Sequence, residues 1–270
     1  MSKGLSRNAL IAILVVCLIG AIAGAAYLIN AMLDIQQVQQ RQEQAQTTDK
    51  APKDEAKQES SSSQSSSAAE ELPENPVDFG KLRKKNSDIY AWINVPDTKV
   101  DYAVLQNPMD NSFYLTHNED QEESPSGAVF SELYNTKKFD DPVTMLYGHN
   151  GFGDTYFTTL HSFRDAEFFE GHPEFYIYTP GHILTYTIVS AFVTDDRHIF
   201  SVYNFSKDED VLAFEHDITH PESISENIRD GVELDEDSRF VVLSTCNPIE
   251  LGQTGRFLVC GVLTDDVETR

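Results

Sequence analysis

The sequence predicts a mostly β domain, a closed or nearly closed barrel, carried behind an apolar segment and a polar spacer. Three observations lead there. Short apolar stretches, several with period-two alternation, recur from residue 91 to residue 263. Helical spacing shows at only a few places between them, and many short strands with few helices favour a closed barrel. Residues 1–76 also differ in composition from everything that follows.

The apolar segment comes first. Ala9 to Ile29 is uninterrupted by charge, and as a helix these 21 residues span about 30 Å, the thickness of a bilayer's hydrocarbon core. Lys3 and Arg7 precede it and Asp34 follows. The positive-inside rule therefore keeps residues 1–8 in the cytoplasm, makes 9–31 a transmembrane signal anchor and exports the rest. The expected location is the cell membrane, single-pass, with the globular part outside. Small residues near the end of the run (Ala21, Ala23, Gly24, Ala25, Ala26) also fit a signal-peptide cleavage site, although the length favours a retained anchor. Residues 32–76 read as a flexible linker. They are rich in Gln, Ser, Glu and Lys and include the run Ser60 to Ser67, broken only by Gln64. Such a tract buries too little apolar surface to offset its ordering entropy. Ile35 to Gln46 suits a few further turns of the membrane helix.

Residues 77–270 form the globular domain, long enough to bury a core without staples. Alternating charged and apolar residues predict a leading helix over Phe79 to Tyr90. Strands are expected at Ala91 to Pro96, Val100 to Leu105, Ala128 to Phe130 and Val143 to Tyr147. Phe157, Leu160, Phe163 and Phe168 suit a short helix or two turns. Phe175 to Tyr178 and Ile183 to Val193 read as paired strands around Pro180-Gly181. Ser206 followed by Asp208, Glu209 and Asp210 is an N-cap with acids in the first turn, so Ser206 to His216 should be a helix inserted before the last strands. Arg239 to Ser244 and Gly255 to Leu263 close the domain.

The formal net charge is −24. A field of that sign repels phosphate backbones and anionic head groups and argues against nucleic acid as a partner. The three cysteines, Cys17, Cys246 and Cys260, match no zinc pattern and no disulfide scaffold. The other histidines show no metal-ligand spacing.

Chemistry concentrates at one end of the predicted sheet. The apolar stretch Phe240 to Thr245 leads into Cys246, and ten residues later Arg256 opens the next strand. A hairpin there sets Cys246 beside Arg256. His149 follows the strand Val143 to Tyr147. A thiolate is an acyl-transfer nucleophile, and its population rises beside an imidazolium. Histidine shuttles the proton between leaving and entering amines, and an arginine fork holds a carbonyl oxygen as it gains charge. Singly, each residue has an ordinary structural explanation. Cys260 lies too far along the strand from Arg256 to pair with Cys246 and reads as core.

The ordered set Leu146-Tyr147-Gly148-His149-Asn150, Leu243-Ser244-Thr245-Cys246 and Arg256, behind a signal anchor, closely resembles the sortase signature. Trp92-Ile93-x-Val95-Pro96-x-Thr98, Asp110 to Leu115, and Phe168-Phe169-x-x-His172-Pro173 look like its class B branch, as does the short Cys-to-Arg spacing. The resemblance covers nearly all of residues 77–270. It implies an eight-stranded barrel with a leading helix and an inserted helix, and no cofactor or metal. It further implies a cysteine transpeptidase that cleaves the C-terminal sorting signal of secreted proteins after threonine. By motif, Cys246 is the nucleophile, His149 the acid and base, and Arg256 the oxyanion partner, while Tyr147, Ser244, Thr245, Asn111 and Leu115 line the substrate groove. The acceptor is an amine, of a peptidoglycan precursor or of a pilin lysine. Class B members often carry an acid just after the cysteine, but Asn247 and Pro248 stand here, so no acid orienting His149 is implied. A thiol hydrolase using water and a catalytically silent tethered binding module are the alternatives.

Overall fold

The computed structural model describes residues 7–48, 72–151, 153–223, 225–235, 237–246 and 255–270. Helix α1 (Arg7–Thr48) takes in the whole apolar run and the turns expected beyond it. Among the described residues no helix is long and apolar enough to cross a membrane. Many α1 side chains fall outside that description, so the anchor rests on the sequence. Most of the expected linker, residues 49–71, lies outside the described residues.

The domain is a barrel. Its strands are β1 (Ile89–Asn94), β2 (Asp101–Leu105), β3 (Val129–Phe130), β4 (Val143–Tyr147), β5 (Glu174–Thr179), β6 (His182–Thr194), β7 (Glu226–Ile228), β8 (Phe240–Cys246) and β9 (Arg256–Glu268). They hydrogen-bond in the order β5-β1-β2-β3-β4-β8-β9-β6-β7, and β5 pairs again with β6. That second pairing closes a ring of eight strands and leaves no open edge along most of it. The polar strand β7, which the sequence pattern does not announce, adds to the far half of β6 at Ser190 to Phe192.

Alternation along the strands divides the apolar residues into separate clusters. Ile93, Val104, Val129, Leu146, Ile177, Ile188, Val241, Leu243 and Val259 point inward and meet in the barrel core. Met145, Val242, Leu258 and Cys260 point outward into a second cluster. It is covered by helix α5 (Asp208–Thr219) through Val211, Phe214 and Ile218. Phe79 and Leu82 of helix α2 (Phe79–Lys85) cap a third cluster with Trp92 and Leu105.

Local contacts set where the helices begin and end. Helix α2 starts on the Asp78 carboxylate, which accepts from Lys81 N at 2.9 Å. It stops at Asn86, whose buried amide donates to Tyr114 Oη and to the Glu119 carbonyl. Ile89 and Tyr90 are thereby released to β1. The segment after Phe157 is a 3₁₀ stretch (Thr158–Arg164) and a separate helix α3 (Ala166–Gly171). The two are divided at Asp165, which is extended and caps α3 by accepting from Phe168 N at 2.9 Å. A four-residue helix α4 (Ile199–Val202) precedes α5. Ser206 does not cap α5; its hydroxyl donates to Asn204 Oδ1 at 2.7 Å, and the helix begins two residues later.

Gly261 shows how tightly the wall is packed. Phe175 and Tyr186 are cross-strand partners with rings stacked 5.2 Å apart. A Cβ on Gly261 would stand 2.4 Å from Phe175 Cε1 and 3.1 Å from Tyr186 Cβ. Gly261→Ala should therefore destabilise the domain by about 1–3 kcal/mol through overpacking. The check is the denaturant midpoint at unchanged m-value, and an unchanged midpoint would show that the rings move aside.

Candidate active site

The site is set by two ladders that share β8. Strands β4 and β8 are parallel and in register from Val143↔Phe240 to Tyr147↔Ser244. The Gly148 N–H donates to the Ser244 carbonyl at 3.2 Å and carries the pairing one step further. His149 and Cys246 each follow the Tyr147↔Ser244 pair by two residues, so they emerge level at the same end of the barrel. On the other side, Cys246 and Arg256 are direct antiparallel partners, which puts their Cβ atoms about 4.5–5.5 Å apart on one face. Cys246 thus stands between the histidine and the arginine and is partly exposed.

Each flank is held. His149 Nε2 lies 2.8 Å from the Leu115 carbonyl oxygen. A carbonyl only accepts, so Nε2 carries the proton and Nδ1 is the nitrogen left for other chemistry. Leu115 ends a 3₁₀ turn (Phe113–Leu115). Gly127 (φ +59°) packs against that turn so closely that a Cβ would meet the Tyr114 carbonyl at 2.4 Å, the Leu115 carbonyl at 3.0 Å and His149 Cδ2 at 3.1 Å. The Arg256 guanidinium donates to the Gly255 carbonyl at 3.0 Å. Among the described residues it pairs with no carboxylate.

The other expected residues fall into distinct settings. Tyr147 and Ser244 share the outer face with Cys246. The Tyr147 hydroxyl donates to Glu132 at 3.0 Å, and burial followed by the Glu132 charge pushes its pKa far up. Ser244 is buried. Thr245 points the opposite way, into the barrel, with its hydroxyl buried and without a partner among the described residues. Asn111 accepts from Leu133 N at 2.8 Å and braces the loop after β3. The Leu115 side chain is exposed, at 41%.

Two residues were not anticipated. Glu132 accepts from Tyr147 and from His198 Nε2 at 2.8 Å, tying the loop before α4 to the end of β4. His161 lies 3.2 Å from the Cys246 carbonyl through Nε2. Neither belongs to a local motif, since each acquires its place only through tertiary pairing. Cys260 is fully buried, and burial pushes its thiol up to about 12. It is chemically quiet beside Cys246. Among the described residues no three His, Cys, Asp or Glu side chains gather as metal ligands.

A family model described as a sortase domain matches residues 93–264. The curated Sortase B of Listeria monocytogenes serovar 1/2a is 29% identical over 189 residues, covering 67% of this chain and 72% of that protein. Clostridium perfringens sortase B superposes with a TM-score of 0.61 at 30% identity, over 70% of this chain and 100% of that one. A Streptococcus pyogenes class B sortase involved in pilus biogenesis gives 0.58 at 33% identity, over 69% and 97%.

The Gly127 contact generates a measurement. Gly127→Ala strains a positive φ and displaces the Leu115 carbonyl, and such strain costs about 1–3 kcal/mol. In the wild type the imidazole ¹⁵N spectrum should show His149 protonated at Nε2. In the variant that signature should weaken or move to the other tautomer, and retention of it would dissociate Gly127 from the histidine.

Proposed function

Because the chain belongs to the sortase family of cysteine transpeptidases, and its relatives are class B members, we propose that it joins secreted proteins bearing a C-terminal sorting signal to an amine. The juxtaposition that carries this reading is Cys246 level with His149 across the parallel ladder and paired with Arg256 across the antiparallel one. In the proposed reaction the Cys246 thiolate attacks the carbonyl of the threonine in the sorting motif. The C–N bond breaks, the leaving amine takes a proton from His149, and a thioester remains. An entering amine then attacks that thioester, gives a proton back to His149 and leaves an amide, with the thiolate regenerated. Arg256 holds the carbonyl oxygen through both tetrahedral stages. Its guanidinium suits the role because no carboxylate among the described residues competes for it.

Tyr147, Ser244, Thr245, Asn111 and Leu115 are proposed to shape the groove, Asn111 through the loop that it braces. The acceptor is a peptidoglycan precursor amine or a pilin-type lysine, and a negative surface field favours the approach of either cation. Residues 9–31 are proposed as the single membrane anchor, 32–76 as the spacer and 77–270 as the extracellular catalytic domain, since the uncharged run follows Lys3 and Arg7 and precedes Asp34.

The test uses the full chain in detergent with fluorogenic peptides of the Leu-Pro-x-Thr-Gly and Asn-Pro-x-Thr-x types, with and without an amine acceptor. Cleavage and an acceptor-linked product by mass spectrometry are expected, both lost in Cys246→Ala. His149→Ala should lower kcat/KM about 10²–10⁴-fold, and Arg256→Lys about 10²–10³-fold. Product formed only with water would favour the hydrolase, and no Cys246 thioester with any peptide would favour a silent binding module.

A further inference from the structure

His161 has a position that packing alone does not explain. Its ring stacks on Phe257 at 5.0 Å, and Phe257 is fully buried. A phenylalanine would stack equally well. The histidine instead buries Nδ1 without a partner among the described residues, an arrangement that native interiors avoid. What the imidazole adds is one polar contact, Nε2 to the Cys246 carbonyl at 3.2 Å. Asn150 Nδ2 donates to the same oxygen at 3.1 Å. Strand β8 runs from Phe240 to Cys246, so this carbonyl belongs to its last residue. Both donors come from the chain that follows β4, and Asn150 is the neighbour of His149.

We propose that His161 is a positioning residue for the nucleophile: with Asn150 it grips the Cys246 carbonyl and keeps the thiol level with His149 and beside Arg256. Burial pushes the pKa of its ring down, so the imidazole is neutral at neutral pH and Nε2–H is the donor. A carbonyl held by two side chains fixes the peptide on which the attacking sulfur is mounted, and small displacements of a reacting group lower rates steeply. The inference rests on the reading of Cys246 as nucleophile.

The experiment compares the wild-type full chain with His161→Phe and His161→Gln, using whichever sorting peptide the wild type cleaves. The phenylalanine keeps the stacking and removes both the donor and the orphaned Nδ1. Its Tm should equal or exceed that of the wild type, while kcat falls about tenfold to a hundredfold and KM stays close to the original. Glutamine restores an N–H donor of similar reach and should recover most of the lost rate. Wild-type kcat in His161→Phe would overturn the proposal, as would a kcat loss that follows a loss of Tm and is not relieved by glutamine. Should the phenylalanine variant fail to fold, the glutamine variant decides: recovery at wild-type Tm supports positioning, and a low kcat at wild-type Tm overturns it. Absence of any Cys246-dependent cleavage by the wild type is a separate outcome, which removes the nucleophile reading and this inference with it.

Discussion

The parallel ladder between β4 and β8 is the constraint on which the site depends. Parallel pairing requires a long crossover, because the chain must return to the starting end of the sheet before it can run alongside. Here that crossover contains β5, β6, β7 and helices α3 to α5, most of one side of the barrel and its outer cover. Closure of the ring by β5 and β6 therefore serves the ladder as much as the core. Asn150 and Cys246, 96 residues apart, meet only because the wall between them is complete.

Charge management at the site follows from the same frame. In a chain of net charge −24 an arginine ordinarily finds a carboxylate. Glu132 is a half-buried acid beside Tyr147, yet its oxygens are occupied by Tyr147 and His198. That arrangement holds the negative charge against the aromatic wall formed by Tyr134, His198 and Phe200. The backbone carbonyl of Leu115 takes the position that an orienting acid would occupy on His149, with no added charge beside the thiol.

Much of this architecture was legible in the sequence. The eight ring strands could be read as short apolar stretches between turn residues; β5 and the first half of β6 alternate with period two, whereas β1, β4 and β8 are buried on both faces and read as continuous apolar runs. The pairing of Cys246 with Arg256 was legible from the hairpin that they flank, whereas His149 was joined to them by the resemblance of its motif, because neither strand's sequence states the parallel register of β4 with β8. Strand β7 could not be read: Glu226 to Ile228 is short and polar and exists only because the far half of β6 has a vacant edge. The extent of α2 was misjudged because Asn86, which ends it, draws its partners from Tyr114 and Glu119, far along the chain. His161 was invisible for a related reason. Its donor function needs the Cys246 carbonyl, and no local pattern ties residue 161 to residue 246.

The alternation along β8 also limits how such a site changes over generations. Ser244 and Cys246 face outward and Thr245 faces the core, so inserting or deleting one residue within β8 would exchange their sides and bury the sulfur in the barrel. A two-residue change would restore the facing but slide the nucleophile about 6–7 Å along the wall, past the level of the histidine. Changes of length in descendants of this chain are therefore confined to the connections between strands.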